Sequence, residues 1–317
     1  MKKIIIDCDP GIDDTLALSL AINSPEYDIL GITLVSGNVE ATLCYKNALK
    51  LLNFEQTSIP LYIGEEVPLV RELVTAKETH GEDGLGNSNL VYNYIPPQKN
   101  AVDFILNSLN KEKNIKIFAL GPLTNIATAL KKDRETFKNV ELICMGGAFK
   151  SHGNCSPVAE FNFWVDPDAA DYVIKNYPGM VKILPLDVTR KFLFTPNMLS
   201  YLKHLNKKRA DFIESITNFY MDFHYEYEDI IGCVINDPLT FIADLREDLF
   251  EKKEYYCEVA LSSQAMGQLI VDEYDFYKKK KNVILYTDVD NETAMKEFLS
   301  RLFKDHRDEI FARSDLY

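Results

Sequence analysis

Ile4-Ile5-Ile6-Asp7-Cys8-Asp9-Pro10-Gly11-Ile12-Asp13-Asp14 is the stretch of sequence that decides the fold. Its isoleucines belong to Lys2–Ile6, a short apolar run that predicts a buried strand, and Thr15–Ile22 predicts the helix that follows. Between them, four carboxylates occupy eight positions. In open α/β sheets, ligands bind beyond the carboxyl ends of parallel strands. The four acids therefore stand where a ligand site is expected.

The same alternation of strand and helix continues over the first two hundred residues and predicts a parallel sheet covered by helices. The pattern indicates a single α/β domain over residues 1–317, with a mostly parallel central sheet flanked by helices and a helix-rich C-terminal part. Predicted strands are Asp28–Val35, Ile115–Leu120, Val140–Met145, Val181–Pro185, Glu254–Leu261 and Asn282–Tyr286. Predicted helices are Ala41–Leu52, Leu123–Leu130, Asp166 to about Lys175, Pro196–Asn206, Arg209–Tyr225, Pro238–Leu245 and Glu292–Lys304.

The composition is typical of a globular protein, with 46% hydrophobic and 26% charged residues among 317. Lys and Arg number 35 against 48 Asp and Glu, and the resulting net charge of −13 argues against a nucleic-acid partner. The stretches without Asp, Glu, Lys or Arg are short, for example the 14 residues 117–130. The sequence therefore predicts no membrane span.

The amino terminus and the cysteines favour a cytoplasmic protein. Only three isoleucines separate Lys2 and Lys3 from the first acid, too few for a signal peptide. The six cysteines form no Cys-x-x-Cys pair and resemble neither a disulfide framework nor a zinc site, which favours reduced thiols. The run Lys278–Lys281 could bind phosphate, but a solvated turn is the simpler interpretation.

The acidic loop predicts a site for a hard cation. An acid at the start of a helix can cap it, but capping uses one acid or two. Four acids so close together repel one another, and burial raises their pKa values unless a cation compensates. The loop offers hard oxygen ligands, with no His nearby and only Cys8 among the acids. Such a set favours Mg²⁺ or Ca²⁺ over zinc.

Two protein families place such a loop after their first strand. In haloacid-dehalogenase-like phosphatases, Asp7 would be the nucleophile and Asp9 the general acid beside Mg²⁺, but the downstream basic residue and acidic pair of that family have no convincing copy here. Nucleoside hydrolases carry Asp-x-Asp-x-Gly-x-Asp-Asp, and residues 7–14 match every fixed position. Further segments resemble that family in its order: Val35-Ser36-Gly37-Asn38, His80-Gly81-Glu82-Asp83-Gly84, Gly121-Pro122-Leu123-Thr124-Asn125, Met145-Gly146-Gly147, Glu160-Phe161-Asn162 with Asp166-Pro167, and Asp237-Pro238. The sequence is thus similar to the inosine–uridine-preferring nucleoside hydrolases from Ile4 to at least Val271.

This resemblance implies a Ca²⁺ ion held by Asp9, Asp14, Asp237 and the backbone carbonyl of Leu120. It also implies a reaction, the Ca²⁺-dependent hydrolysis of the N-glycosidic bond of ribonucleosides to ribose and free base by a metal-activated water, with Asp9 as general base. The implied partner is a small ribonucleoside, purine or pyrimidine, and the implied assembly is a homo-oligomer, a dimer or a tetramer. From the residues alone, Asp237 before a proline predicts a helix cap, as Asp166 does.

The resemblance also implies roles in substrate binding, which carry over residue by residue. Asp13 and Asn162 would bind the ribose 2′- and 3′-hydroxyls, and Asn154 and Glu160 would hold the 5′-hydroxyl. Asn38 would orient the metal-site carboxylates, Met145 would pack beneath the sugar, and Phe161 is a candidate for stacking on the base, although a core position is the simpler interpretation for it.

The sequence departs from the family at the residue before the last metal-binding acid. A His, the presumed general acid, is usual there, whereas this chain has Asn236, and an amide has no proton to give near neutral pH. His80, in a loop rich in glycine, is the favoured group for contact with the base. The other candidates are His224, Tyr225, Tyr227 and Cys233, the last more simply a small buried filler. Because the usual acid is missing, a nucleoside- or ribose-binding protein without hydrolytic activity is the alternative to an enzyme.

Overall fold

The predicted apolar strands form one large sheet in the computed structural model, which describes residues 1–316. The strands are β1 (Lys2–Cys8), β2 (Tyr27–Leu34), β3 (Leu61–Ile63), β4 (Gln98–Lys99), β5 (Lys116–Ala119), β6 (Glu141–Met145), β7 (Val181–Leu184), β8 (Leu193–Phe194), β9 (Cys233–Val234), β10 (Phe250–Val259), β11 (Leu269–Asp272) and β12 (Val283–Val289). Ten of them form the large sheet in the order β11-β10-β12-β7-β6-β5-β1-β2-β3-β4, and β8 and β9 form a separate two-stranded sheet. Neighbours from β12 to β4 pair in parallel, and only β10 runs antiparallel to its neighbours β12 and β11.

Helices cover both faces of the sheet, and the central strand shows why. Along β1, Ile4 and Ile6 pack into one apolar core and Ile5 packs into the other, so the strand is buried on both sides. The α-helices are α1 (Ile12–Ile22), α2 (Ala41–Phe54), α3 (Lys77–His80), α4 (Ala101–Lys111), α5 (Thr124–Lys132), α6 (Phe161–Val165), α7 (Pro167–Asn176), α8 (Leu186–Thr189), α9 (Pro196–Leu205), α10 (Lys207–Glu228), α11 (Pro238–Leu245), α12 (Asn291–Leu302) and α13 (Arg307–Ala312), joined by 3₁₀ turns at Glu135–Phe137, Glu247–Leu249, Ser263–Ala265 and Lys304–His306.

The structure confirms the α/β class and adds elements that the sequence pattern missed. The strands β3, β4 and β11, near the two ends of the sheet, and the helix α4 were absent from the prediction, and β10 begins at Phe250 rather than Glu254. Lys278–Lys281 is fully on the surface, as a solvated turn would be. Over residues 1–316, none of the helices combines the length and the apolar character that a membrane crossing requires.

Four parallel strands deliver their carboxyl ends to one region of the molecule. β1, β2, β5 and β6 are neighbours in the sheet, and the polar segments that matched the family motifs follow directly after them. Parallel pairing places Asp7 beside Ala119 and Thr33, so the loops after these strands start at nearly the same height. This edge of the sheet is therefore the place where side chains distant in sequence meet.

Candidate active site

The acidic loop folds back on itself at the carboxyl end of β1. Pro10 and Gly11 turn the chain, and α1 begins at Ile12 instead of at Thr15. One turn into that helix, the carboxylate of Asp14 accepts backbone N–H groups of Gly11 at 3.0 Å and Asp9 at 3.2 Å. Asp14 therefore closes the loop as a helix cap would, and still keeps its carboxylate beside the other acids.

Asn38, in the turn after β2, connects two of these acids. Its backbone N–H donates to Oδ2 of Asp9 at 2.7 Å, and its side-chain amide donates to Oδ2 of Asp14 at 2.9 Å and to the backbone oxygen of Asp9 at 3.2 Å. Asn38 thereby fixes the mutual orientation of Asp9 and Asp14. The orienting role that the resemblance implied for Asn38 stays a prediction, and these are the contacts through which it would act.

Two glycines let the backbone approach Asp9 closely. A Cβ atom at Gly37 would overlap Oδ2 of Asp9, and a Cβ atom at Gly121 would overlap Oδ1. The turns after β2 and β5 thus enclose the Asp9 carboxylate from two sides, and any side chain at either glycine would displace it.

Asp237 reaches the same place from the other end of the chain. Carboxylate oxygens of Asp13, Asp14 and Asp237 lie within 4.8 Å of one another. Asp237 precedes Pro238 at the start of α11 but makes no capping hydrogen bond with its side chain, so the capping interpretation was wrong. Asp166, in contrast, does cap α7, accepting the N–H of Ala169 at 2.9 Å. The difference is that the side chain of Asp237 turns towards the other acids.

The cluster carries buried negative charge that the protein itself leaves unbalanced. Burial raises the pKa of Asp9 and Asp237 well above the usual range and that of Asp14 to about 7, and the neighbouring carboxylates add to each shift. Within residues 1–316, no Lys or Arg forms an ion pair with any of these acids, and Oδ1 of Asp9 is buried without a hydrogen-bond partner. Such a set of oxygens fits a divalent cation.

A cavity of about 360 Å³ opens beside the acids. All the predicted site residues line it except Asp9, which lies behind Asn38 and Asp14. Asp7, the nucleophile of the phosphatase alternative, does not reach the cavity; its Oδ1 accepts hydrogen bonds from Thr33 and Asn125. The predicted residues on the cavity wall are Asp13, Asp14, Asn38, His80, Leu120, Met145, Asn154, Glu160, Phe161, Asn162, Asn236 and Asp237.

Glu160 and Asn162 form the wall nearest the end of β6. Burial raises the pKa of Glu160 to about 7, although backbone N–H groups of Gly147, Asn162 and Phe163 donate to its carboxylate. The amide of Asn162 donates to the backbone oxygens of Leu120 at 2.6 Å and Met145 at 3.3 Å. These contacts hold both side chains in fixed positions at the cavity surface.

Phe161 and Asn154 lie at the outer part of the same wall. Oδ1 of Asn154 accepts the backbone N–H of Phe161 at 3.0 Å, and the amide nitrogen of Asn154, in a residue that lines the cavity, has no hydrogen-bond partner within residues 1–316. Phe161 is half-buried and lines the cavity, so the expectation of a core position was wrong. Phe163, two residues later, fills the core instead. The helix α6 begins at Phe161, so residues two positions apart point in different directions. This is why Phe163, and not Phe161, enters the core.

His80 ends the short helix α3 and is buried in the cavity wall. Its Nδ1 accepts the backbone N–H of Ile12 at 3.2 Å, which places the proton of the neutral ring on Nε2. Burial lowers the pKa of His80 and keeps the ring neutral near pH 7. The ring stacks on Tyr220 of α10, with 5.2 Å between centroids. His80 is therefore a positioned hydrogen-bond donor.

The other candidates for contact with the base separate into two groups. His224 and Tyr227 line the cavity, whereas Tyr225 is exposed on the opposite side of α10 and Cys233 is buried outside the cavity lining. The structure confirms the interpretation of Cys233 as a small buried filler, and burial raises the pKa of its thiol. Sequence reasoning missed Tyr220, because its place beside His80 depends on how α10 packs.

Asn236 is tied to an acid of the cluster. Its side-chain nitrogen donates to Oδ2 of Asp13 at 3.1 Å, while its Oδ1 is buried and without a partner in the described structure. Because Asp13 is a carboxylate, the amide must face it with its nitrogen. The amide therefore presents a hydrogen-bond acceptor, not a donor, as its remaining polar atom.

Comparison with known proteins agrees with this geometry. The sequence profile of the family described as "Inosine-uridine preferring nucleoside hydrolase" matches residues 4–296. The chain is 34% identical to the protein named "Probable uridine nucleosidase 2" of Arabidopsis thaliana, over 96% of this chain and 98% of that one. It is 33% identical to the "Pyrimidine-specific ribonucleoside hydrolase RihA" of Shewanella sp. (strain MR-7), over 92% and 93%.

A solved structure resembles the fold equally well. The "Purine-Preferring Ribonucleoside Hydrolase from Gardnerella vaginalis" superimposes with a TM-score of 0.89 at 30% identity, covering 96% of this chain and 98% of that one. The match over nearly the whole length includes the acidic loop, the turn at Asn38 and the distant Asp237. The chain belongs to the inosine–uridine preferring nucleoside hydrolase family.

Proposed function

We propose that this enzyme cleaves the N-glycosidic bond of ribonucleosides in a Ca²⁺-dependent reaction, and releases ribose and free base. The observation that carries the proposal is the buried carboxylate cluster beside a polar cavity, for which the described residues supply no positive partner. A cation that balances this charge would complete the site.

Four oxygen donors would hold the ion: carboxylates of Asp9, Asp14 and Asp237 and the carbonyl of Leu120. Ca²⁺ takes six to eight oxygens and accepts carboxylates and backbone carbonyls together, so donors remain to come from water and from sugar hydroxyls. Carboxylate oxygens of Asp13, Asp14 and Asp237 lie within 4.8 Å of one another, so Asp13 is also near enough to be a ligand. We nevertheless assign Asp13 to the substrate, because Asn236 already occupies its Oδ2 and the residue faces the cavity.

The residues of the cavity suit a reaction that develops positive charge on the sugar. Cleavage of the bond gives the ribose the character of an oxocarbenium ion and leaves negative charge on the departing base. The carboxylates of Asp13 and Glu160 stabilise the positive charge by preorganised electrostatics. The ion, when bound, would neutralise its ligands and lower the pKa of a water molecule. Asp9, whose Oδ1 is buried without a hydrogen-bond partner among the described residues, would be the general base for the attacking water.

The sugar would be held by hydroxyl contacts along the fixed wall of the cavity. Asp13 and Asn162 bind the 2′- and 3′-hydroxyls, and Asn154 and Glu160 bind the 5′-hydroxyl. What supports these roles is that all four side chains line the cavity, and that backbone contacts fix Glu160 and Asn162 before a substrate arrives. Met145, buried between these residues and Leu120, provides an apolar surface for the ring.

The departing base would receive its hydrogen bond from His80. Nε2 of His80 carries the proton, and the ring is neutral, so it donates a hydrogen bond to the base without first titrating. Asn236 cannot take this role while its amide nitrogen donates to Asp13. His80 at the end of α3, rather than Asn236 before Asp237, therefore activates the departing base.

Release of reducing sugar tests the function. Protein stripped with a chelator is incubated with a panel of purine and pyrimidine ribonucleosides, with Ca²⁺ or Mg²⁺ added back. We expect sugar release that depends on Ca²⁺, and loss of Ca²⁺ binding together with activity in Asp9→Ala and Asp14→Ala. Activity that survives chelation would refute Ca²⁺ dependence. Binding without sugar release would support the non-hydrolytic alternative, and phosphate release from a phosphoester would support the phosphatase.

A further inference from the structure

The loop that carries Asn154 is anchored at its first half by an acid of α8. The carboxylate of Asp187 accepts three successive backbone N–H groups, from Phe149 at 2.9 Å, Lys150 at 2.7 Å and Ser151 at 3.0 Å. This arrangement fixes residues 149–151 independently of the rest of the loop. The segment at Gly153 and Asn154 lies beyond the reach of these bonds.

Arg190, three residues after Asp187, anchors the second half. Its Nη2 donates to the backbone oxygen of Gly153 at 3.0 Å, directly before Asn154. Its Nη1 donates to Oε2 of Glu228 at 2.8 Å. Both side chains of the ion pair are about four-fifths buried, and both line the cavity. The guanidinium therefore connects the loop at Gly153 with the last residue of α10.

Through these two hydrogen bonds, Arg190 links two segments of the cavity wall. On one side stands Asn154, the candidate for contact with the 5′-hydroxyl, whose backbone follows the carbonyl that Arg190 binds. On the other side, the final turns of α10 bring His224 and Tyr227 to the cavity wall. A planar guanidinium can donate in two directions at once, which a lysine ammonium on a flexible chain does less rigidly.

We propose that Arg190 is a positioning residue that sets the affinity of the enzyme for the 5′-hydroxyl of its substrate. It acts by holding the segment Gly153–Asn154 against the end of α10, and the inference rests on the proposed function because it takes the substrate to be a ribonucleoside. The amide nitrogen of Asn154, which donates to none of the described residues, is the group that this anchoring places for the hydroxyl. Without Arg190, the bonds to Asp187 and the backbone hydrogen bonds of Gly153 to Pro157 and of Asn154 to Ala159 remain, so the change is confined to the contact between the Gly153 carbonyl and the end of α10.

A pair of substrates tests the inference: a hydrolysed ribonucleoside and its 5′-deoxy analogue. In Arg190→Gln we expect KM for the ribonucleoside to rise about tenfold, as expected for the loss of one positioned hydrogen bond, with kcat changed much less. KM for the 5′-deoxy analogue should stay within about twofold, because the contact that Arg190 supports is absent from it. Arg190→Lys should recover part of the loss, since it keeps the charge opposite Glu228.

A matched control is available at the first turn of α10, the helix that ends at Glu228. Arg209 forms a two-bond ion pair with Glu55, at 2.7 and 2.9 Å, away from the cavity. Arg209→Gln removes a comparable ion pair from α10 and should leave KM for both substrates unchanged. If Arg190→Gln raises KM for the two substrates equally, or for neither, the inference is overturned.

Failure of the proposed function gives a different result. In that case neither the wild-type protein nor the Arg190 variants hydrolyse either substrate. The same comparison is then made on dissociation constants of the two nucleosides, measured by calorimetry. A selective loss of affinity for the 5′-hydroxy compound in the Arg190 variants supports the positioning role, and equal affinities in variant and wild type overturn it.

Discussion

Asn38→Ala disturbs the acidic cluster without removing an acid. The alanine deletes the side-chain hydrogen bonds to Asp14, at 2.9 Å, and to the backbone oxygen of Asp9, at 3.2 Å. It keeps the backbone N–H that donates to Asp9 at 2.7 Å. The perturbation therefore frees the orientation of Asp14 while one hydrogen bond still restrains the carboxylate of Asp9.

The magnitude follows from the number of bonds lost. Removal of a group that orients a metal ligand typically costs 10- to 100-fold in metal affinity. Because one of the three hydrogen bonds from Asn38 persists, we expect the dissociation constant for Ca²⁺ to rise by about 10- to 30-fold, which is roughly 1.4 to 2 kcal/mol. Saturating Ca²⁺ should restore most of the turnover, because no proposed ligand has been removed.

Calorimetric titration of chelator-stripped protein with Ca²⁺ measures this effect, with Asn47→Ala as the matched control. Asn47 is also buried and donates two side-chain hydrogen bonds, to the backbone oxygens of Pro10 at 3.0 Å and Asp83 at 2.8 Å, but neither acceptor is a carboxylate. The control should lower the free energy of unfolding and leave the Ca²⁺ dissociation constant nearly unchanged. Equal shifts in both variants, or none in Asn38→Ala, would refute the reasoning.

Three further substitutions test the hydrogen bond to the base, the binding of Ca²⁺ and the ion pairs of Asp244 with Lys2 and Lys116. His80→Ala should lower kcat/KM for a natural ribonucleoside by at least about 100-fold and for a nitrophenyl riboside, whose leaving group needs no donor, by far less; equal losses would exclude His80 as the donor. Asp237→Asn should abolish the increase in Tm that Ca²⁺ gives the wild type, yet leave the Ca²⁺-free protein at least as stable, because a buried unpaired carboxylate has been neutralised. Asp244→Ala should lower the free energy of unfolding in urea by about 1.5–3 kcal/mol, because Lys2 and Lys116 lose a buried partner while Lys116 keeps its ion pair with Glu141. Burial opposes ionisation of Asp244, but the lysine hydrogen bonds outweigh it and lower the pKa, so this stability is present above about pH 4 and is lost as the pH falls through the folded-state pKa; an acid titration of unfolding should be shallower in the variant.

Local features of the sequence were sufficient for the centre of the fold. The alternation of Ile4, Ile5 and Ile6 between two cores is a property of one strand, and the acids after it follow directly in the chain. Asp166 before a proline caps its helix as predicted, because a cap depends only on residues within one turn. These elements required no knowledge of distant contacts.

Features that depend on packing between distant segments could not be predicted in the same way. Asp237 has the same local pattern as Asp166, yet its side chain turns towards acids more than two hundred residues away. Tyr220 and Arg190 carry no motif, and their positions follow from the packing of α10 and α8. The outer half of β10 is exposed and rich in Lys and Glu, so hydrophobic patterning detected only its buried end.

The enclosure of Asp9 by Gly37 and Gly121 makes the site vulnerable at positions that have no chemistry of their own. Alanine at either glycine would need the space that an Asp9 oxygen occupies, so the acid would have to leave its place. In a screen of random variants, inactive proteins should therefore carry replacements at these two glycines about as often as at the acids. The positions at which a substitution abolishes activity thus include residues without a functional group. At these two positions the site depends on the absence of a side chain.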